Sequence, residues 1–140
     1  MSTQFVTFTL DDRLYGIEVA AVQEVLRGLP RTRIPLTPSA LAGLINLRGQ
    51  VVTAIDLRER LGRPRRPEGS DAVAVVVRMR GEVVSLLVGS IVDVVRVAAA
   101  DFEPPPDTMD APTRALIHGA YKLADGLLLA LDAQKAVDTS

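Results

Sequence analysis

The sequence contains no cysteine, no tryptophan and a single histidine, His118. Without cysteine the chain has no disulfides, no thiolate metal site and no cysteine nucleophile. One histidine excludes multi-histidine metal sites, and His118 has no serine, cysteine or aspartate motif beside it that would make it a catalytic base. We therefore expect no catalytic residue, no metal and no cofactor, and predict that the protein is not an enzyme.

Aromatic residues make up only 4% of the chain, and neither sign of charge is in marked excess. Sixteen basic and 17 acidic residues give a formal net charge of -1. This balance argues against a protein that coats nucleic acid or an anionic membrane. The longest apolar runs, residues 72–77 and 127–131, are too short to cross a bilayer, and the N-terminus lacks a signal-peptide pattern. We expect a cytoplasmic protein with no direct membrane insertion.

Short apolar segments bounded by turn residues dominate the chain of 140 residues. The segments that read as strands are residues 5–10, 14–19, 51–55, 72–79, 83–88 and 127–131. Asp11-Asp12 and Arg80-Gly81 are turn signals, so the sequence predicts two hairpins. Two windows favour helices, residues 39–47 with Ser39 as N-cap and residues 57–61. The pattern predicts a mainly β protein with a few short helices.

The chain also repeats itself. Three segments align without gaps on later ones: residues 19–27 on 88–96, residues 41–47 on 117–123, and residues 51–56 on 127–132. The offset is 69 for the first pair (88 minus 19) and 76 for the other two (117 minus 41). The seven extra residues fall between Arg96 and Ile117, in the proline-rich stretch around 104–112. We predict two copies of a small SH3-like or OB-like barrel, each of four or five strands.

Strands that are apolar on both faces suggest how the two copies meet. Residues 72–77, 83–88 and 91–95 are of this kind, whereas a small antiparallel barrel buries only one face. The other face must contact the second barrel or another protein, which favours an adaptor with a shared apolar seam. We expect one domain, 1–140, with subdomains at about 4–62 and 71–137 joined by the loop at 62–70. The alternative is that the C-terminal strands return to the first subdomain.

Residues that match between the copies are expected to serve the fold. Asp56 and Asp132 each follow a strand and are interpreted as helix caps. Gly43 and Gly119 match as well, which predicts a tight backbone position at each. Glu24 matches Asp93 in charge, so that charge is expected to be partly structural.

Arg48 differs from its counterpart, Ala124, and is therefore a candidate interface residue. A planar guanidinium can pair with a partner's carboxylate. The alternative is a solvated loop arginine. A run of arginines is the one hint of nucleic-acid binding, although a solvated linker explains it as well: Arg58, Arg60, Arg63, Arg65 and Arg66.

Several motifs resemble those of the CheW family of chemotaxis coupling proteins, over about residues 4–137. They are residues 8–11 running into 14–17, residues 22–25, residues 32–35, and Gly43-Leu44-Ile45-Asn46-Leu47-Arg48-Gly49 followed by Val51-Val52 and residues 55–58. The resemblance implies two SH3-like five-stranded barrels, in agreement with the repeat.

The resemblance also implies a scaffold that couples chemoreceptors to a CheA-type histidine kinase. Its partners would be the cytoplasmic tips of the receptors and the regulatory domain of the kinase, in arrays under the inner membrane. By motif position, the residues implied for receptor coupling and kinase control are Val22, Glu24, Gly43, Asn46 and Arg48. For the kinase interface we expect Val83, Leu86 and Val88. Two alternatives remain at this point, the same role in a non-motility chemosensory pathway and a small nucleic-acid-binding barrel.

Overall fold

The computed structural model describes residues 2–27, 31–32, 41–63, 73–124 and 126–137. Over these residues the chain forms short strands and three α-helices of four to six residues. The strands are β1 (Ser2–Leu10), β2 (Arg13–Glu18), β3 (Val22–Arg27), β4 (Arg31–Thr32), β5 (Leu41–Leu47), β6 (Gln50–Asp56), β7 (Val73–Met79), β8 (Glu82–Val88), β9 (Ser90–Ala98), β10 (Phe102–Glu103), β11 (Ile117–Leu123) and β12 (Gly126–Leu131). The helices are α1 (Leu57–Arg60), α2 (Ala111–Leu116) and α3 (Ala133–Val137).

The mainly β prediction is confirmed, and so are both hairpins, β1–β2 and β7–β8. The helix expected at 57–61 is α1. The helix expected at 39–47 is wrong over Leu41–Leu47, which form β5, while residues 39–40 lie outside the described part of the chain. Buried Ile45 and Leu47 flank exposed Asn46, which is the two-residue period of a strand. The ladder with β6 thus outweighs the local capping signal.

Helix α2 lies where the sequence interpretation placed a proline-rich loop. Its N-cap is Asp110, whose carboxylate accepts a hydrogen bond from the Thr113 backbone N–H at 3.3 Å. Pro112 sits in the first helical turn, where a missing N–H costs nothing. The sequence contains this helix-start signal, because Asp110 lies two residues before Pro112. The preceding prolines at 104–106 favour a loop, and the whole stretch is therefore predicted as one.

The strands form two six-stranded sheets with matching order. Sheet A runs β10-β11-β12-β2-β1-β9, and sheet B runs β4-β5-β6-β8-β7-β3. Each sheet has five longer strands and one of two residues, β10 or β4. When the two orders are compared position by position, β5 corresponds to β11 and β6 to β12. The sequence offset of 76 requires the same correspondence. The predicted internal repeat and the five-stranded units are therefore confirmed.

The two copies of the repeat exchange their opening hairpins. Hairpin β1–β2 lies in sheet A among strands of the second copy, and hairpin β7–β8 lies in sheet B among strands of the first. Parallel pairings make these links, with Gly16 beside Ala130 and Ser85 beside Ala54. The subdomain boundaries at about 4–62 and 71–137 stay a prediction, and the sheet membership favours the alternative in which the chain's two ends share a subdomain.

Among the described residues, three apolar clusters pack against the sheets. The central cluster lies between them and takes Phe8 and Ile17 from sheet A and Val75 and Leu86 from sheet B, all fully buried. Each sheet also curls around a smaller cluster of its own. Full burial of such a side chain stabilises the fold by roughly 1.5–3 kcal/mol. The predicted apolar seam is this central cluster.

Strand β7 shows why some strands are apolar on both faces. Val75 and Val77 face the central cluster, whereas Ala74 and Val76 face the inside of sheet B. Successive residues of a strand point to opposite faces, so a strand packed on both sides has no polar face. Both apolar faces of β7 are therefore satisfied within the chain.

The expected helix caps are present. The Oδ1 atom of Asp56 accepts a hydrogen bond from the Arg58 backbone N–H at 2.9 Å. The Oδ1 atom of Asp132 does the same for the Lys135 N–H at 3.2 Å. At Gly119, a Cβ atom would lie 2.5 Å from the Glu103 carbonyl oxygen, which confirms the tight position expected there.

Candidate functional site

The β5–β6 hairpin presents Arg48 at its tip. Arg48 and Gly49 have φ angles of +52° and +86°, as in the two-residue turns that match the twist of a hairpin. The Asn46 side-chain oxygen accepts a hydrogen bond from the Gly49 N–H at 2.8 Å and fixes the turn. Asparagine before such a turn and glycine within it are the residue types that this geometry favours.

Buried side chains anchor the hairpin below its tip. Its inward-facing side chains, each at most 7% exposed, are Ile45, Leu47, Val52 and Ala54. Together with side chains of β7 and β8 they fill the inside of sheet B. The tip therefore stands on packed strands, which gives its side chains a defined position.

Arg48 forms a bidentate ion pair with Glu24. Its Nη1 donates to Oε2 of Glu24 at 2.8 Å, and its Nη2 donates to Oε1 at 2.7 Å. Glu24 lies on β3, at the end of sheet B opposite β4, so the pair joins two elements that are distant in strand order. The ion pair therefore links β3 to the β5–β6 turn at the surface of the curled sheet B.

The two partners differ in exposure. The Arg48 side chain is 69% exposed and the Glu24 side chain 19%. The hydrogen bonds from Arg48 lower the pKa of the Glu24 carboxyl, and the same bonds raise the pKa of the Arg48 guanidinium. Glu24 accepts two of the five N–H donors that a guanidinium carries. The remaining donors of Arg48 have no acceptor among the described residues, which leaves them open to a carboxylate that approaches from solvent.

The structure brings together three of the predicted site residues, Glu24, Asn46 and Arg48. The sequence predicts a partner's carboxylate for Arg48, whereas the structure pairs Arg48 with the Glu24 carboxylate of the same chain. Val22 is half-buried against the central cluster, two residues before Glu24. Gly43 lies in β5 beside a register shift in the β5–β6 ladder.

Two of the three residues expected at a kinase interface lie inside the molecule. Leu86 and Val88 are fully buried in the central cluster. A side chain without solvent exposure cannot contact a partner unless the sheets separate, and we therefore make no further interface proposal for these two. Val83 is half-buried on the opposite face of β8.

The described arginines of the predicted basic run are held within the chain. Arg58 and Arg63 both donate to the carboxylate of Asp11, at 2.8 Å and 3.1 Å. These contacts, the Arg58 hydrogen bond first, lower the pKa of Asp11. Arg60 donates to the carbonyl oxygens of Lys135 and Ala136 at 2.6 Å and 3.1 Å. Arg65 and Arg66 lie outside the described residues. This arrangement is a poor one for binding phosphates.

A further polar cluster joins residues that no local pattern in the sequence links. Arg13 of β2 donates to the Asp110 carboxylate at 2.9 Å and lies 3.4 Å from the Thr113 hydroxyl. The Arg13 hydrogen bond, with help from Thr113, lowers the pKa of Asp110 to about 2. Arg13 and Asp110 are 97 residues apart, so only the fold shows the pair. Beside it lies a cavity of about 450 Å³, lined mainly by leucines and Met109.

Among the described residues, no group of three histidine, aspartate or glutamate side chains is placed to hold a metal ion. No helix in the described ranges has the length and hydropathy to span a membrane. The Nδ1 atom of His118 lies 3.6 Å from the carboxylate of Asp132. Asp132 is the cap residue of α3, so this contact belongs to the fold.

Fold and site together define a mainly β protein of two repeated, curled sheets with an arginine–glutamate pair on an exposed hairpin. The chain belongs to the CheW-like domain family, whose model matches residues 4–140. The resemblance seen in the motifs is thereby confirmed over almost the whole length.

Individual relatives agree with the family. The chain is 31% identical to the chemotaxis protein CheW of Klebsiella aerogenes, over 97% of this chain and 82% of that protein. It is 28% identical to the chemotaxis protein CheW of Helicobacter pylori, over 91% of this chain and 77% of that one. The crystal structure of the scaffolding protein TtCheW from Thermoanaerobacter tengcongensis superposes with a TM-score of 0.82 and 32% identity, covering 94% and 90% of the two chains.

Proposed function

We propose that this protein is a non-enzymatic scaffold that couples chemoreceptors to a CheA-type histidine kinase. The observation that carries the proposal is the Arg48–Glu24 pair, fixed on a rigid hairpin at the position of the family's coupling motif. The similarity to a solved scaffolding protein over nearly the whole chain supports it. The names of the relatives favour chemotaxis over a non-motility pathway, and the internally held arginines argue against nucleic acid.

The receptor is proposed to bind at the hairpin tip. A chemoreceptor tip is a helical hairpin, so its contact would follow the helix-in-groove mode, with apolar side chains giving affinity and charged ones giving orientation. Arg48 would bind a receptor carboxylate with the donors that Glu24 leaves free. Asn46 would keep the turn in place, and Val22 and Gly43 would support the strands on either side.

The kinase is proposed to bind elsewhere on the same chain, because a scaffold has to hold both partners at once. Of the residues expected for this contact, Val83 alone has partial exposure. We propose that the protein acts in the cytoplasm, at receptor arrays under the inner membrane, because both proposed partners present their binding regions there. Its mechanism is binding and not turnover.

The test is co-sedimentation with a receptor signalling fragment and a CheA-type kinase, using wild type and Arg48→Ala. Wild type is expected in the pellet and Arg48→Ala at a roughly tenfold lower level, a typical effect for an interface arginine. The matched control is Arg80→Ala, because Arg80 also has a φ of +52° and precedes a glycine in a hairpin turn. It should behave as wild type.

Two results would contradict the proposal. Wild type that stays in the supernatant with every receptor and kinase pair would limit the similarity to the fold. An equal loss of co-sedimentation in Arg48→Ala and Arg80→Ala would show that replacing a turn residue of positive φ causes the defect. The ion pair with Glu24 would then not be the cause. The folded fraction of each variant, followed by circular dichroism, separates a binding defect from unfolding.

A further inference from the structure

Met109 and Met79 have similar surroundings and differ in one contact. Both side chains are half-buried, and both pack against the central cluster. The Met109 sulfur also has a cation beside it, because the Nη1 atom of Arg13 lies 3.9 Å from Sδ as a hydrogen-bond donor. Among the described residues, no donor contacts the Met79 sulfur. The two methionines therefore differ in the guanidinium at the sulfur of Met109.

Backbone and side-chain contacts hold Met109 in this place. Its N–H donates to the Pro106 carbonyl oxygen at 3.1 Å, which closes a turn. The next residue, Asp110, is the N-cap of α2, and its carboxylate accepts from the same Nη1 atom of Arg13 at 2.9 Å. One nitrogen atom of Arg13 therefore contacts both the Met109 sulfur and the Asp110 carboxylate.

A small reagent can reach Met109 from solvent. Met109 lines the cavity of about 450 Å³, and exposed Asp12 and Gly126 line it too, so the cavity opens at the surface. Hydrogen peroxide is little larger than a water molecule, whose share of liquid volume is about 30 Å³. Peroxides convert a methionine thioether into a sulfoxide, which methionine sulfoxide reductases convert back. Met109 is thus accessible to a reversible change from an apolar to a polar side chain.

The reaction forms one bond and breaks one. The sulfur lone pair attacks one peroxide oxygen, so that the S–O bond forms and the O–O bond breaks. The leaving hydroxide takes the proton of the transferred oxygen, and the products are one sulfoxide and one water molecule. Negative charge develops on the leaving oxygen, and a hydrogen bond from a nearby cation stabilises it. Arg13 can donate this bond without losing its own proton, because a guanidinium stays charged in proteins.

We propose that Met109 is a peroxide-sensitive modification site, which Arg13 activates and whose sulfoxide then draws Arg13 away from Asp110. A sulfoxide oxygen is a stronger acceptor than a thioether sulfur, and it would compete with the Asp110 carboxylate for the same nitrogen atom. The Arg13–Asp110 pair joins β2 to the start of α2, so its weakening would loosen that helix. This modification goes beyond the proposed function and requires none of its partners.

The first test follows the sulfoxide of each methionine by peptide mass spectrometry while the folded chain is treated with hydrogen peroxide. Met109 should be oxidised about fivefold faster than Met79, the gain expected from one hydrogen bond that strengthens in the transition state. In Arg13→Gln, which removes the cation, the Met109 rate should fall to that of Met79. Asp110→Asn is the matched control, because it breaks the same ion pair but leaves the Arg13 donor at the sulfur. Its Met109 rate should not fall.

The second test follows the effect of the sulfoxide on α2 by thermal unfolding. Oxidised wild type should have a Tm a few degrees lower than the untreated protein, and methionine sulfoxide reductase should restore it. Met109→Leu keeps the apolar packing and lacks the sulfur. Peroxide treatment should therefore leave its Tm unchanged, even where Met79 has reacted.

Four results would overturn the proposed site or its effect. Equal rates for Met109 and Met79 in wild type would exclude activation by Arg13. A Met109 rate in Arg13→Gln that matches or exceeds wild type would show that exposure alone sets it. An equal fall in Arg13→Gln and Asp110→Asn would assign the effect to the position of α2. A Tm unchanged by complete oxidation of Met109 would exclude the effect on the ion pair. A failure to bind receptor or kinase contradicts the proposed function alone, because these measurements use no partner.

Discussion

At the scale of single residues, two fully buried hydroxyl groups differ in whether they have a hydrogen-bond partner. Thr7 of β1 is fully buried, and its hydroxyl donates to the Asp93 carbonyl at 2.9 Å and accepts from the Asp93 N–H at 3.1 Å. Ser85 of β8 is fully buried too, but its hydroxyl has no hydrogen-bond partner among the described residues. The neighbours of Ser85 across the ladder, Ala54 and Val76, are apolar.

We predict that Ser85→Ala stabilises the protein. An unpaired buried hydroxyl costs free energy, so its removal should raise the free energy of unfolding by about 1 kcal/mol. The control is Thr7→Val, which removes a paired hydroxyl and should lower the free energy of unfolding by about 1–2 kcal/mol. Urea denaturation of both variants measures the difference. A loss of stability in Ser85→Ala would mean that its hydroxyl has a partner in the folded protein.

At the scale of elements, side chains from distant parts of the chain tie helices and hairpins to the sheets. Glu24 of β3 holds the β5–β6 turn, and Asp110 at the start of α2 holds Arg13 of β2. For the first tie the sequence marked both residues separately, because the repeat set Arg48 apart and gave a charge at the Glu24 position in both copies, but it did not pair them. The second tie was not within reach of the sequence, since no local pattern links Arg13 to Asp110, which lies 97 residues away.

The Asp110 tie predicts a dependence of stability on pH. In the folded protein Arg13 lowers the pKa of Asp110 from 3.8 to about 2. A lowered carboxyl pKa stabilises the fold above the unfolded value, and that contribution is lost as pH falls through the folded value. Wild type should therefore lose stability between about pH 4 and pH 2. Because the Asp110 side chain is 41% exposed, solvent screening keeps the effect modest.

The variant that tests this is Asp110→Asn, which keeps an oxygen for the helix cap and removes the charge. Its free energy of unfolding should fall less steeply than that of wild type over this acid range. Asp107→Asn, an exposed position three residues earlier, is the control and should follow wild type. Superposable pH profiles for wild type and Asp110→Asn would show that the ion pair adds no stability.

At the scale of the whole molecule, the exchange of hairpins makes the two sheets interdependent. Each sheet contains a hairpin from the other copy of the repeat, and the central cluster takes side chains from both. Neither copy retains a complete sheet without the other. We therefore expect the two sheets to unfold as one cooperative unit, although the sequence contains two copies of the repeat.

We predict a single unfolding transition for the full chain. Val75→Ala, in the central cluster, should lower the free energy of unfolding by roughly 2 kcal/mol. Amide hydrogen exchange should accelerate in β1–β2 of sheet A as well as in β7–β8 of sheet B, because global unfolding is the common route. Two separate transitions, or faster exchange confined to sheet B, would show that the sheets unfold independently.

The sequence by itself determined the two hairpins, strands β6 and β12, the repeat, the caps at Asp56 and Asp132 and the distinct status of Arg48. These features depend on residue type and on spacing over a few positions, which report the local backbone directly. The tertiary structure decided which hairpin joins which sheet, that Leu86 and Val88 are buried, and that Glu24 holds Arg48. Strands of similar composition can pair in several orders, and the packing of the whole chain selects one. It also turned Leu41–Leu47 from an apparent helix into a strand, because the ladder with β6 satisfies the backbone and buries Ile45 and Leu47 together.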